Sequence, residues 1–341
     1  MRRPVLPPNV AAIVQEDRQQ FARAWAGHFF GMLPLLLPAV LAAASACELQ
    51  EITVVDVEEV VVAEVYANVA ADPAQNELLA LLHQTLGSED IDAAEADLVG
   101  ARITVRRPSD GLAIALRNAA ITECIEEERT DLPQACFLAD SVDAARLAPA
   151  DLLTLEVQLV GGGMLEGETR VPGTFQLPGF PAECRLVPDT LLPLRWTRAA
   201  GAWAYVNETA IGGLPEALRS EGIVVREDPL YLLGLSISDA DTTIAFPSEF
   251  GVFNRFDLDQ QLAVRLQRGL PAGADAEITV TAVDRNYVNW ARGGNFNPSG
   301  QVRVPSLRGD GSGVFGSTVG RRLLVTTDSD AAFPACPGVG S

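Results

Sequence analysis

The chain has 341 residues and a mass of 36.2 kDa, room for about two domains of ordinary size. Hydrophobic residues make up 48% and charged residues 21%, with a mean hydropathy of +0.16, which excludes a disordered chain. All 25 basic residues are arginine and they face 45 acids; the net charge of −20 excludes non-specific binding to nucleic acid or anionic lipid, which needs a basic face.

Residues 29–46 form an uncharged, mostly apolar run that ends Ala44-Ser45-Ala46 before Cys47. The run is barely long enough to span a bilayer, and Pro34 and Pro38 would each remove a helix hydrogen bond. A secretory signal fits better. Ala44-Ser45-Ala46-Cys47 resembles a bacterial lipobox, in which the Cys thiol is acylated and the chain is cut just before it. Ala44 stands where that motif usually has Leu, and Ala-Ser-Ala also reads as an ordinary cleavage site. Both readings cut the same bond and differ in whether Cys47 carries lipid; an uncleaved signal anchor is the third reading. Residues 1–46 are therefore expected to be removed, with residues 47–58 as a tether. Glu16 and Asp17 lie badly with a basic leader, as a start placed too far upstream would explain.

Beyond the tether, β-branched density over 51–69 predicts strand. Further short strands are predicted over 102–107, 112–116, 152–159, 168–177, 192–196 and 203–207. The later ones fall over 223–226, 231–238, 242–246, 262–267, 277–283, 301–304 and 322–326. Turn residues separate them, such as Ser109-Asp110-Gly111 and Arg308-Gly309-Asp310-Gly311. Many short strands at this spacing predict an all-β protein of sandwich type, not βαβ units. Helical signals are few, over 140–147 and 215–220. Residues 77–86 fit either a helix or a buried strand. The Pro-rich stretch 177–194 marks the expected domain boundary.

The cysteines are Cys47, Cys124, Cys136, Cys184 and Cys336. With Cys47 acylated, four remain, the even number that an exported chain pairs. Cys124 and Cys136 flank a charged loop, and a bridge there would add about 3 kcal/mol in the chain-entropy model. Cys184 and Cys336 would then tie the tail back to the boundary. Four cysteines allow three connectivities, and this one is expected.

Little catalytic chemistry is spelled out. Past the signal the only histidine is His83, so a His-based triad or multi-His metal site would need a partner's help. The absence of lysine excludes Schiff-base and P-loop chemistry. The spacing Gly311, Gly313, Gly316 matches a dinucleotide fingerprint but leads into strand signals, which predicts a Gly-rich hairpin loop. Asp239/Asp241 and Asp257/Asp259 alternate as calcium ligands can, but without the rest of an EF-hand loop. No metal and no cofactor are expected. One segment, 285–297, has binding character: Tyr287, Trp290, Asn295 and Phe296 combine aromatic faces with amide hydrogen bonding. The plainer reading is a loop whose aromatics cap the sandwich end. Trp196, Trp203 and Tyr205 suit core packing.

A family resemblance rests on Leu98-Val-Gly-Ala-Arg-Ile-Thr-Val105, Ser109-Asp110-Gly111, residues 167–177 and Gly313-Val-Phe-Gly-Ser317. Together these are similar to bacterial lipoproteins of domain of unknown function 4249. The first half of that family resembles a carboxypeptidase-regulatory or transthyretin-like sandwich. The resemblance spans roughly residues 55–330 and implies that residues 77–85 are a strand. Taken with the Pro-rich boundary, it places a transthyretin/Ig-like β-sandwich over 59–185 and leaves a second β domain over 186–341. It also implies no enzymatic activity, and a place near TonB-dependent outer-membrane receptors. The expected role is a non-catalytic cell-envelope lipoprotein, anchored through Cys47, that captures a ligand or assists a receptor at the outer-membrane surface. The alternatives are a structural or adhesive envelope module and an acid-pair hydrolase such as a glycosidase.

Overall fold

The run Val-Val-Ala-Glu-Val-Tyr-Ala-Asn-Val forms strand β1 (Val61–Val69). Because side chains alternate along a strand, Ala63, Val65, Ala67 and Val69 enter the main core. Glu64, Tyr66 and Asn68 line the opposite face. The computed structural model describes residues 60–85, 91–124, 133–236, 238–248, 260–293 and 303–338. The expected signal, the tether and Cys47 lie outside those residues.

Next come β2 (Glu77–Gln84), β3 (Arg102–Arg107), β4 (Leu112–Ala119), β5 (Gln134–Leu138), β6 (Leu152–Gln158) and β7 (Met164–Arg170). β4 turns the corner between two layers, pairing with β3 through Leu116 and with β5 through Arg117. Ile103, Val105, Ile114, Leu153, Leu155 and Val157 of one layer meet Val65, Leu78, Leu82 and Phe137 of the other in one core. This is face-to-face sandwich packing.

The remaining strands are β8 (Glu183–Arg185), β9 (Leu192–Arg195), β10 (Ala204–Gly212), β11 (Leu230–Leu235), β12 (Thr243–Phe246), β13 (Asp275–Val283), β14 (Arg308–Gly309) and β15 (Ser312–Thr326). Thirteen strands form one folded-over sheet, ordered β11-β10-β13-β15-β1-β2-β5-β4-β3-β6-β7-β14 with β8 on β15. β9 and β12 form a separate pair. The chain is all-β.

The expected boundary at 185/186 does not divide this sheet. The first part of β15 runs parallel to β1, from Val62↔Ser312 to Val69↔Val319. Its second part runs antiparallel to β13, from Val283↔Thr318 to Asp275↔Thr326. One long C-terminal strand thus belongs to both halves, and buried residues of both halves, from Ala63 to Trp196 and Phe246, share the main core.

Three expectations are corrected. The predicted strand at 262–267 is, up to Leu266, the helix Gln260–Leu266: Leu262 and Leu266, four apart, are both buried, and Arg265 between them binds Glu221 and Asp189. Gly313 and Gly316 lie inside β15, not in a hairpin loop. A Cβ on Gly313 would fall 2.0 Å from the Ala63 carbonyl oxygen, so only glycine lets β15 approach β1 there. Residues 223–226 form no strand. Residues 77–84 are β2, as the family resemblance implied. Both expected disulfides form, Cys124–Cys136 and Cys184–Cys336.

Among the described residues no helix is long and apolar enough to cross a membrane.

Candidate functional site: the outer face of β1 and its covering helix

The segment that carried binding character is a helix, α1 (Arg285–Arg292), not a loop. Arg-Asn-Tyr-Val-Asn-Trp-Ala-Arg has modest helix propensity, and two octapeptide turns would not hold alone in water. The helix is fixed from its start. Asp284 is its N-cap, with Oδ1 accepting from the Tyr287 N–H at 2.9 Å. The same oxygen accepts from the Ser317 N–H of β15 at 3.2 Å. Oδ2 accepts from the Thr169 hydroxyl of β7 at 2.7 Å. Thr169 has one hydroxyl proton and gives it to Asp284, so the 2.7 Å contact between Thr169 and Ser317 must be Ser317 donating. Burial raises the Asp284 carboxyl above its ordinary value, although the hydrogen bonds from Tyr287, Thr169 and Ser317 work against that. Asn286 adds a second clamp, donating from Nδ2 to the carbonyls of Glu168 and Phe315 at 2.8 Å each.

Held this way, α1 lies over the polar face of β1. Tyr287 meets Tyr66 edge to face at 5.7 Å between ring centroids. Gly316 makes that contact possible, since a Cβ there would sit 3.3 Å from both Tyr66 and Tyr287. Trp290 is 7% exposed, in a cluster with Val62, Tyr66, Leu79, Leu81 and the Cys124–Cys136 bridge. Its open face is covered by Arg303, whose guanidinium carbon is 4.9 Å from the ring centroid. Trp290 Nε1 is buried and has no hydrogen-bond partner among the described residues.

Glu64 is the hub. Its Oε1 lies 3.4 Å from Arg303 Nη1 and 3.6 Å from His83 Nε2, and Tyr66 donates to Oε2 at 3.1 Å. Burial alone would raise the Glu64 carboxyl, but His83, Arg303 and Tyr66 together outweigh it and hold the group below the usual range. Burial, then Glu64, pushes the Tyr66 phenol well above its ordinary value. Burial, then the charges of Glu208 and Glu64, pushes Tyr287 up as well. Both phenols therefore stay protonated at neutral pH, and Tyr66 gives its proton to Glu64. Glu208, on β10, has no ion-pair partner among the described residues, and burial lifts its carboxyl to about 7.

The expected contact residues thus need a correction in placement. Tyr287 and Trp290 are packed between α1 and the sheet because Asp284 anchors the helix down; Asn295 and Phe296 lie outside the described residues. Trp203, expected in the core, is 48% exposed, with the Arg285 guanidinium 5.0 Å above its ring. Trp196 and Tyr205 are buried as expected. Glu64, Tyr66, Arg303 and Glu208 went unmarked in the sequence; the polar alternation Glu64, Tyr66, Asn68 within an otherwise apolar strand is the signal that points to them. Asp239 pairs with Arg198, and Asp241 accepts from the Ser238 N–H, so both are engaged within the chain. Asp257 and Asp259 lie outside the described residues. Among the described residues no group of three or more His, Cys, Asp or Glu could hold a metal ion.

Glu64 and Glu208 have opposed acidities, the pattern that acid–base chemistry exploits. Both oxygens of Glu64 are committed to neighbours in its own cluster, however. What the arrangement does is hold: a carboxylate, a guanidinium and three aromatic rings fasten α1 and the approach to β15 onto β1.

No family model matches the chain, and no curated protein matches it significantly. Two solved structures align over most of its length. Fibronectin(III)-like modules of Clostridium thermocellum CbhA are 9% identical, with a TM-score of 0.18, covering 79% of this chain and 95% of theirs. The Dpr2 Ig1-Ig2 complex with DIP-Theta Ig1–Ig3 gives 10% identity and a TM-score of 0.16, covering 78% of this chain and 66% of that one. At such scores neither likeness bears on fold or function.

Proposed function

We propose that the chain is a non-catalytic, disulfide-locked β module of the cell envelope. It is held at the outer-membrane surface by lipid on Cys47 and works as an accessory or ligand-capturing protein beside a TonB-dependent receptor, as its resemblance to the lipoproteins of domain of unknown function 4249 implies. The observation that carries the reading is the cysteine pairing. Cys124 with Cys136 and Cys184 with Cys336 use four of five cysteines within the fold, as an oxidising compartment favours. The fifth is Cys47, directly after the apolar run and its small-residue exit. The commitment of Glu64 to Arg303, His83 and Tyr66 supports the non-catalytic part of the reading.

Cell fractionation in a bacterial host, comparing the wild type with Cys47→Ala, tests this reading. Wild type in the outer-membrane fraction with the variant released is the expected result. A wild type recovered as free periplasmic or secreted protein would remove the anchor, and with it the receptor partnership.

A further inference from the structure

We propose that this chain is built to carry tension between its two ends, with the β1–β15 ladder as the element that resists it. The inference rests on strand direction. The first and last long strands of the fold are neighbours and run parallel, from Val62↔Ser312 to Val69↔Val319. The chain enters β1 beside Ser312, at the N-terminal end of β15. It leaves β15 past Thr326, at the far end.

The far end is the firmly held one. β15 is flanked there by β13, up to Asp275↔Thr326, and by β8, through Val325↔Cys184. Cys184 is bonded to Cys336, and the Cys336 N–H donates to the Arg185 carbonyl. Tension entering through the C-terminal tail is therefore delivered at the Val325 end of β15, through a covalent link. Tension entering from the N-terminal side arrives at Val61, at the opposite end of the shared ladder. The two pulls act along the strands and away from each other. Every backbone hydrogen bond of the β1–β15 ladder is then loaded at once, whereas an antiparallel terminal pair would open one bond at a time from its end. Antiparallel β2 on the other side of β1 shares the same load, from Val61↔Gln84 to Asn68↔Glu77.

Side chains add stops along the same seam. The Thr318 hydroxyl donates to Asn68 Oδ1 at 3.0 Å, and Arg303, upstream of β14, grips Glu64 of β1. Gly313 allows the close approach at the loaded end. Forced rupture depends on the unfolding barrier in the direction of pulling, so the geometry predicts mechanical strength that equilibrium stability would not reveal. A surface anchor at Cys47 would supply one point of load, and only that physiological source rests on the function proposed above.

Single-molecule pulling on the full chain tests the inference. In one arrangement the handles are at the N-terminus and the C-terminus. In the other they are at the N-terminus and at Arg308, which is exposed and lies four residues before Ser312, the partner of Val62 at the Val61 end of the ladder. The first arrangement should rupture at a several-fold higher force than the second, because only the first loads the ladder in shear. Gly313→Ala should lower the rupture force in the first arrangement and leave the second unchanged. Equal forces in the two arrangements of the wild type would overturn the proposal, and that comparison decides even where Gly313→Ala fails to fold. The measurement is independent of lipid on Cys47, so its failure and the failure of the anchor are separately visible.

Discussion

Thr169 and Asp284 belong to opposite layers of the sandwich and are joined by a buried 2.7 Å hydrogen bond. Through it, the cap of helix α1 is also the rivet between β7 and β15. Removing the carboxylate takes the acceptor from the Tyr287 and Ser317 N–H groups at once and leaves Thr169 only its contact with the Ser317 hydroxyl. Asp284→Ala should therefore cost about 3 kcal/mol in denaturant unfolding, more than an ordinary lost cap. Asp284→Asn should cost about 1 kcal/mol, since its Oδ1 keeps the cap and its amide can donate to Thr169, which then turns its own proton to Ser317.

Glu208 gives the fold a pH signature. Its folded-state acidity lies near 7, above the ordinary 4.5, so between those values the native state holds a proton that the unfolded chain releases. Stability therefore falls as pH rises across that window and levels off above it. Asp284, also raised, has the same sign; Glu64, lowered, has the opposite sign and loses its contribution as pH falls below 4.5. Glu208→Gln should flatten the decline and stabilise the protein at pH 8 by about 3 kcal/mol as an upper bound. Urea unfolding at pH 5 and pH 8 reads both effects; an unchanged slope in the variant would contradict the assignment.

Arg303 covers Trp290 and neutralises Glu64. Arg303→Ala should cost about 1–2 kcal/mol, from a partly buried ion pair and a cation–π contact. It should also raise acrylamide quenching of tryptophan emission, an effect that Trp290→Phe in the same background abolishes. Arg303→Lys, which lacks the planar fork, should restore only part of the stability.

The Cys124–Cys136 bridge closes a loop with a sequence separation of 12. Replacing both with Ala should lower stability by about 3 kcal/mol in the chain-entropy account. The bridge also packs against Leu81, Leu138 and Trp290. Loss of the pair should therefore shift the tryptophan emission as well, whereas a purely entropic role would leave it unmoved.

The strands were legible where one residue in two is β-branched or apolar, as in β1, β3, β6 and β13, since alternation on a half-buried sheet writes itself into sequence. Helix α1 was not, because its residues are polar and aromatic and its existence depends on a cap whose carboxylate is fixed by Thr169, more than a hundred residues upstream. The helix over 260–266 was misread for a related reason: Leu-Ala-Val-Arg-Leu passes for a strand until Arg265 finds Glu221 and Asp189. The domain boundary was placed by proline density, which says nothing about where a final strand inserts; β15 returns to β1 across the whole chain. The polar hub shows in outline as the Glu64-Tyr66-Asn68 alternation. Its partners His83 and Arg303 reach it only through pairing with β2 and the approach to β15.

An exported module whose fifth cysteine is its anchor has a characteristic intact mass, read on protein from bacterial cells alkylated without reductant. The chain should begin at Cys47, carry acyl groups there, and take up no alkylating reagent because its other four cysteines are paired. A chain that keeps residues 1–46, or one that begins at an alkylated Cys47, would contradict it.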